Sequence, residues 1–289
     1  MIASLLLVVL GVLQAAPMQA DVVSISASTS NEARFDALTS LLTSRKIPFT
    51  VEPFKIDKPI PPEPRTEGRN VLVTIGDGPS EIVIGAHYDA VRLPDGTLSN
   101  GAVDNAASSV ILVRIAEALR NEKLPARVRV VWFDMEELGL IGSQRYVQQH
   151  ASDRIVAMLN FDVNGYGKTI LFGPGQQAAN TQLRRKFLET CASEDADCLS
   201  FPQLPNSDDR TFIKAGVPTL SVAVLPPVEA HQLWLLLSGP NSGLATQSLP
   251  PILRTIHTAQ DTADKVSEES MAMMVRFALS LVRSIASGN

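Results

Sequence analysis

The stretch Val130-Val131-Trp132-Phe133-Asp134-Met135-Glu136-Glu137 runs four apolar residues directly into a group of three acids. Residues of the first kind seek burial in a strand, and carboxylates resist burial unless a cation awaits them. The plain alternative is a helix cap, since carboxylates favour helix N-termini. The pattern recurs. "EIVIGA" (81–86) is followed by His87 and Asp89, and "IVAMLNF" (155–161) by Asp162. In open α/β sheets functional groups gather outside the carboxyl ends of strands, so three strands that each deliver a histidine or carboxylate there point to one polar site. "SNGAVDN" (99–105) adds Asp104 at the entry to a helix, and "IHTAQDTADKV" (256–266) adds His257 and Asp261. Taken singly, Asp104 is an ordinary N-cap and His257 a surface or core histidine. Together the segments offer two imidazoles and three carboxylates, with Glu136 to spare, a donor set that suits zinc or a pair of zinc ions sharing one carboxylate.

Spacing separates the roles. Asp89 is close enough to His87 to fix the orientation of its imidazole, and Asp261 stands in the same relation to His257; such carboxylate–histidine pairs set the tautomer and raise ligand basicity. Beyond a regular strand neighbouring side chains can diverge, so Glu137 can hold metal while Glu136 faces the water that reacts.

The elements that must position these groups alternate along the chain. A helix is expected over 31–44, with Phe35, Leu38, Leu41 and Leu42 on one face. A Pro-rich surface loop (57–68) leads to strands at 69–75 and 81–86, read as a hairpin across "GDGPS". Helices follow at 105–120, 142–150, 182–192 and 267–287, the last capped by Ser267 with Glu268 and Glu269 in its first turn. Strands are expected at 127–133, 155–161 and 217–224. The alternation predicts an α/β fold, a three-layer αβα sandwich with a central mixed, largely parallel sheet, and one domain over 21–289.

At 289 residues and a formal charge of −5 the chain can bury a sizeable core, and with no basic run it does not look like a nucleic-acid binder. "SLLLVVLGVL" (4–13) has the length of a secretory h-region and is short for a bilayer span. A signal peptide over 1–20, cut before Asp21, predicts a secreted or periplasmic protein with no stable membrane association after processing. No Lys or Arg precedes the run, and Met18 suits the cut poorly; a buried N-terminal helix or a retained anchor is the alternative. Cys191 and Cys198 flank "ASEDAD"; in an oxidising compartment they can form one local disulfide, and otherwise they are two free thiols.

"GAHYDA", "GAVDNAASSV", "WFDMEELGLIGSQRYV", "NFDVNGYG" and "IHTAQDTADKV" in this order resemble the motif series of the secreted co-catalytic dizinc aminopeptidases (leucyl aminopeptidase and aminopeptidase Y type) of the zinc exopeptidase superfamily. The resemblance spans about residues 70 to 270. It implies two zinc ions per chain, one on His87 and Asp162, the other on Glu137 and His257, with Asp104 bridging. It implies that Glu136 is the general base, that Asp89 and Asp261 orient ligands, and that peptides with a free N-terminus are the substrates. It places Ser207-Asp208 beside the substrate pocket, with Asp209-Arg210 where an aromatic or histidine is common. Ile256 stands where several aminopeptidases carry a tyrosine that helps polarise the scissile carbonyl; zinc alone, or Tyr166, would then serve. In the insertion 229–252, expected to rim the pocket, Trp234 can line a side-chain pocket or pack in the core. A glutaminyl cyclase is the rival reading; a carboxypeptidase or a non-catalytic relative is weaker still.

Overall fold

The computed structural model describes residues 17–174, 181–238 and 249–288. Eight strands form one mixed sheet in the order β1-β2-β4-β3-β5-β8-β6-β7. They are β1 (Thr50–Lys55), β2 (Glu67–Ile75), β3 (Glu81–His87), β4 (Arg127–Phe133), β5 (Ile155–Phe161), β6 (Thr169–Gly173), β7 (Cys198–Ser200) and β8 (Thr219–Leu225). The centre, β4-β3-β5-β8, is parallel; β2 and β6 flank it antiparallel, β1 pairs antiparallel with β2, and β7 pairs parallel with β6. The helices are α1 (Met18–Ser26), α2 (Asn31–Ser44), α3 (Ala107–Leu119), α4 (Ile141–Gln149), α5 (Thr181–Ser193), α6 (Asp209–Lys214), α7 (Pro227–Ser238) and α8 (Glu268–Ala286).

The period-2 alternation of the strands divides the core into two layers. Val71, Val73, Ile82, Ile84, Val128, Val130 and Trp132 face the larger cluster, shared with α1, α2, α3, α5 and α8. Their neighbours Leu72, Val83, Val131, Phe133 and Met158 face the smaller one, with Tyr146 of α4 and Phe212 of α6. Every residue of β3 is buried, as a strand covered on both faces requires. In α8, Met271, Met274, Phe277, Ala278, Leu281 and Val282 are buried, a helical stripe of the expected kind; the Ser267 side chain accepts from Ser270 N at 3.3 Å and caps it.

The expected hairpin is absent. β2 and β3 do not pair; β4 lies between them, antiparallel to one and parallel to the other. The link 76–80 is a crossing rather than a turn, and it passes hard against the segment entering β4. A Cβ on Gly78 would stand 2.1 Å from Pro125 O. Two strands buried on both faces each need a partner at both edges, and β4 supplies one to each. Short strands β1, β6 and β7 carry too little pattern to stand out, and Pro53 in β1 is tolerated because β1 is an edge.

Cys191 and Cys198 form a disulfide that ties α5 to β7. Of the signal segment, residues 1–16 lie outside those described. The expected cut after Ala20 falls inside α1, where Met18 is buried and the Met18 and Gln19 amides donate to Glu268 at 3.0 and 2.9 Å.

Candidate metal centre

The parallel strands end level with one another, and their ends carry the chemistry. His87 closes β3, Asp162 follows β5, and Glu136 and Glu137 follow β4 after Asp134 and Met135. The turns are tight: Met135, Val163 and His257 have φ of 57°, 61° and 58°, left-handed backbone that costs a non-glycine residue energy and clusters at functional sites. Each lies beside or within the candidate ligand set.

The donors come together in two groups, His87 with Glu136 and Asp162, and Asp104 with Glu137 and His257. Asp104 faces both imidazoles. Its Oδ1 is 3.1 Å from His87 Nε2 and its Oδ2 is 3.1 Å from His257 Nε2. Asp162 Oδ1 lies 3.5 Å from His87 Nε2, and Glu137 Oε2 lies 3.2 Å from His257 Nε2. Glu137 Oε1 is buried without a hydrogen-bond donor. Split imidazole contacts on one carboxylate, an orphaned carboxylate oxygen and a nitrogen–oxygen donor set fit divalent zinc.

Electrostatics carry the same message. Burial pushes the Glu136 carboxyl well up, helped by Asp208, Asp162 and Glu137 around it. Burial likewise lifts Glu137 to about 7 and Asp208 to about 7. Hydrogen bonds to Asp104 and Glu137 raise His257 to about 11. His87 is raised well above the ordinary imidazole value: burial opposes its charge, and Glu136, Asp104, Asp162 and Asp89 override it. The surrounding acids favour the positively charged form of both imidazoles in the metal-free chain.

Asp89 lies beside His87, its backbone O 3.2 Å and its Oδ1 3.4 Å from Nδ1, and it does more. Its two oxygens accept the Glu136 and Glu137 amides at 3.1 and 3.2 Å, so one carboxylate sets both the imidazole and the paired glutamates. Asp261 departs from the expected role. Its oxygens accept the Val103 and Asp104 amides at 2.7 and 3.1 Å, so it anchors the Asp104 backbone rather than the His257 ring. Asp134, the first acid after the strand, is no ligand: it is fully buried and pairs with both Arg65 Nη atoms at 3.1 and 3.2 Å.

Asn105 follows Asp104 in the segment that leads into α3. Its Nδ2 donates to Phe161 O at 2.9 Å and its Oδ1 accepts Val163 N at 3.3 Å, so it grips the backbone on both sides of Asp162. Its partners lie more than fifty residues away, beyond any local signal.

A cavity of about 480 Å³ opens onto Asp104, Glu136, Glu137, Asp162 and His257, with Leu204, Pro205, Ala223, Leu225, Leu233, Ile252, Leu253 and Ile256 on its apolar walls. Its described lining contains no lysine or arginine. Ser207 and Ser221 also line it, and each hydroxyl accepts from Asn160 Nδ2, at 2.9 and 3.0 Å; their own protons remain free to donate. Three expected substrate contacts fall elsewhere. The Tyr166 hydroxyl donates to Glu229 Oε1 at 2.6 Å, because the turn between Gly165 and Gly167 directs it toward α7. The Trp234 indole donates to Ser200 O at 3.2 Å, leaving its neighbour Leu233 to line the cavity. Arg210 donates to Leu204 O at 3.0 Å and so holds the cavity wall from behind. Asp208 is buried close to Glu136 and His87 but is not part of the lining. Of the insertion, 239–248 lies outside the described residues; the described parts contribute Leu233 and Ile252 to the lining.

Fold and site together place a carboxylate-rich cluster that could hold a metal at the strand ends of an α/β sandwich. The chain belongs to peptidase family M28, whose sequence profile matches residues 70–282. It is 27% identical over 260 residues to leucine aminopeptidase 2 of Trichophyton rubrum, covering 83% of this chain and 48% of that protein; the chain spans about half the length of the curated relatives it matches. Among solved structures, BSAP, a zinc aminopeptidase from Bacillus subtilis, superposes with a TM-score of 0.60 at 22% identity, over 75% of this chain and 50% of that one. The glutaminyl cyclase of Porphyromonas gingivalis superposes with a TM-score of 0.72 at 16% identity, over 93% of this chain and 97% of that one. These likenesses corroborate the three-layer fold.

Proposed function

We propose that the chain is a zinc-dependent aminopeptidase that removes the first residue of peptides with a free N-terminus. The observation that carries this reading is the carboxylate of Asp104 divided between His87 and His257, with Glu136 beside one pair and Glu137 beside the other. His87 and Asp162 would hold one zinc, Glu137 and His257 a second, and Asp104 both. Zinc bound there supplies Lewis acidity and lowers the pKa of water toward neutrality.

The remaining chemistry belongs to the chain's own groups. Glu136 takes a proton from the attacking water and returns it to the leaving amine; its raised affinity for protons suits it to hold one between the two steps. Asp89 keeps that carboxylate in place through its amide. The acids lining the cavity favour a cationic N-terminus, and the described lining offers no lysine or arginine to pair with a C-terminal carboxylate, which disfavours the carboxypeptidase reading. The apolar walls favour a leucine-like first side chain. Ser207 and Ser221, rather than Tyr166, are the neutral donors available to a substrate oxygen.

The near-complete overlap with the P. gingivalis fold favours a second reading, acyl transfer that cyclises an N-terminal glutamine. Product analysis separates them. Zinc-loaded protein should release free leucine from a leucyl peptide, leave its N-acetylated form intact, and yield no pyroglutamyl product from a glutaminyl peptide. Cyclisation without release of free amino acids would replace the aminopeptidase reading.

Secretion is the companion proposal. The apolar run at 4–13 supports a signal peptide, and among the described residues no helix is long and apolar enough to cross a membrane. A secreted or periplasmic peptidase acting on peptides, with no nucleic-acid partner, is consistent with the disulfide.

A further inference from the structure

Arg34 lies on α2, outside the stretch matched by the family profile, and its side chain is wholly buried. Its three nitrogens all donate to backbone carbonyls: Nε to Tyr88 O at 2.6 Å, Nη1 to Asn100 O at 2.7 Å and Nη2 to Gly101 O at 3.1 Å. Tyr88 sits between His87 and Asp89, and Asn100-Gly101 leads into Asp104. One planar group therefore ties together the two loops that carry the imidazole, its orienting acid and the shared carboxylate. Asn31, one turn earlier, closes on the first of these loops. Its Oδ1 accepts Ala90 N at 2.9 Å and its Nδ2 donates to Ala90 O at 3.1 Å.

A guanidinium buried against neutral carbonyls has lost its hydration without a direct counter-ion, which is unfavourable by itself. Asp89, Asp261, Asp104 and Glu137 offset this through space. The fork of fixed donors spans three acceptors at once, and an ammonium on a flexible stem cannot reproduce it. The arrangement is thus specific to arginine and to this position.

We propose that Arg34 is a positioning residue of the metal centre, holding the loops at 88 and 100–101 at the separation that lets His87 and Asp104 share a cation. On this view α2 is a working part of the site. The inference rests on the metal-centre reading above, and the test keeps the two apart.

Parent protein, Arg34→Lys and Asn31→Ala are loaded with zinc, and zinc loss to a chelator is timed; melting temperatures are recorded with and without zinc. Contacts that orient metal ligands are worth about 10–100-fold in metal affinity. Arg34→Lys should lose zinc about tenfold faster than the parent, and Asn31→Ala more slowly than that but still faster than the parent. The rise in melting temperature on adding zinc should shrink in both. If Arg34→Lys keeps zinc as the parent does, and its melting point drops equally with and without zinc, Arg34 is only a packing residue and the proposal fails. If Arg34→Lys does not fold, Asn31→Ala decides, parent-like zinc loss overturning the proposal. A parent protein that binds no zinc would instead overturn the metal-centre reading.

Discussion

The two ends of the central sheet both bury charge, and they handle it differently. At the amino ends, Glu81 of β3 meets Arg129 at 3.0 Å and Arg127 at 3.6 Å and accepts the Tyr146 hydroxyl at 3.0 Å. Arg129 also meets Asp153 at 3.2 Å, and His150 lies between Asp153 and Glu52 at 2.8 and 3.0 Å. Each acid there has a cation of the protein's own within reach. At the carboxyl ends Asp89, Asp104, Glu136, Glu137, Asp162, Asp208 and Asp261 gather around two imidazoles and Arg34. Seven carboxylates against those three groups leave an excess of negative charge, in a volume where an unpaired ion is costly. A cluster that balances itself explains itself as structure. One that does not balance itself points to a cation from outside.

Substitutions at the two ends should fail in different ways. The largest effect belongs to Glu136→Gln. The amide keeps the shape and cannot accept a proton, so kcat should fall at least 10²–10⁴-fold, the range for general acid–base groups, while bound zinc stays. Glu137→Gln should instead lower zinc content, and added zinc should restore part of the activity. Metal analysis beside steady-state kinetics separates the two; equal zinc loss in both variants would merge their roles and undo the assignment. At the other end, Arg129→Met removes one partner of a buried pair and should cost about 3–5 kcal/mol of stability. Denaturant unfolding measures this, and activity per folded molecule should hold near the parent value. Lost zinc binding in that variant would break the contrast between the two ends.

Much of the carboxyl-end cluster is legible in the chain because strand ends are legible: an apolar run followed by His87, by Glu136 and Glu137, or by Asp162 places each side chain at one edge of the sheet. What supports those side chains is not legible. Asp261, Asn105 and Arg34 act on backbone groups many residues away, and no spacing rule joins Arg34 to Gly101 or Asp261 to Val103. Side-chain direction near the cavity is the least legible feature. Tyr166, Trp234 and Arg210 all lie near the cavity in sequence, yet each is committed to a protein acceptor that directs it elsewhere. The absent hairpin has a similar origin, since a glycine-containing link between two apolar strands looks the same whether the strands pair or a third slips between them.

On the proposed reading this excess charge is a site for two divalent ions. Titrating metal-free protein with zinc and counting bound ions and released protons tests it directly. Two zinc ions per chain are expected, bound more tightly as pH rises. The acids around His87 and His257 favour protonated imidazoles in the metal-free chain, so zinc competes with protons there. A chain that binds no zinc, or saturates at one ion with affinity independent of pH, would contradict it.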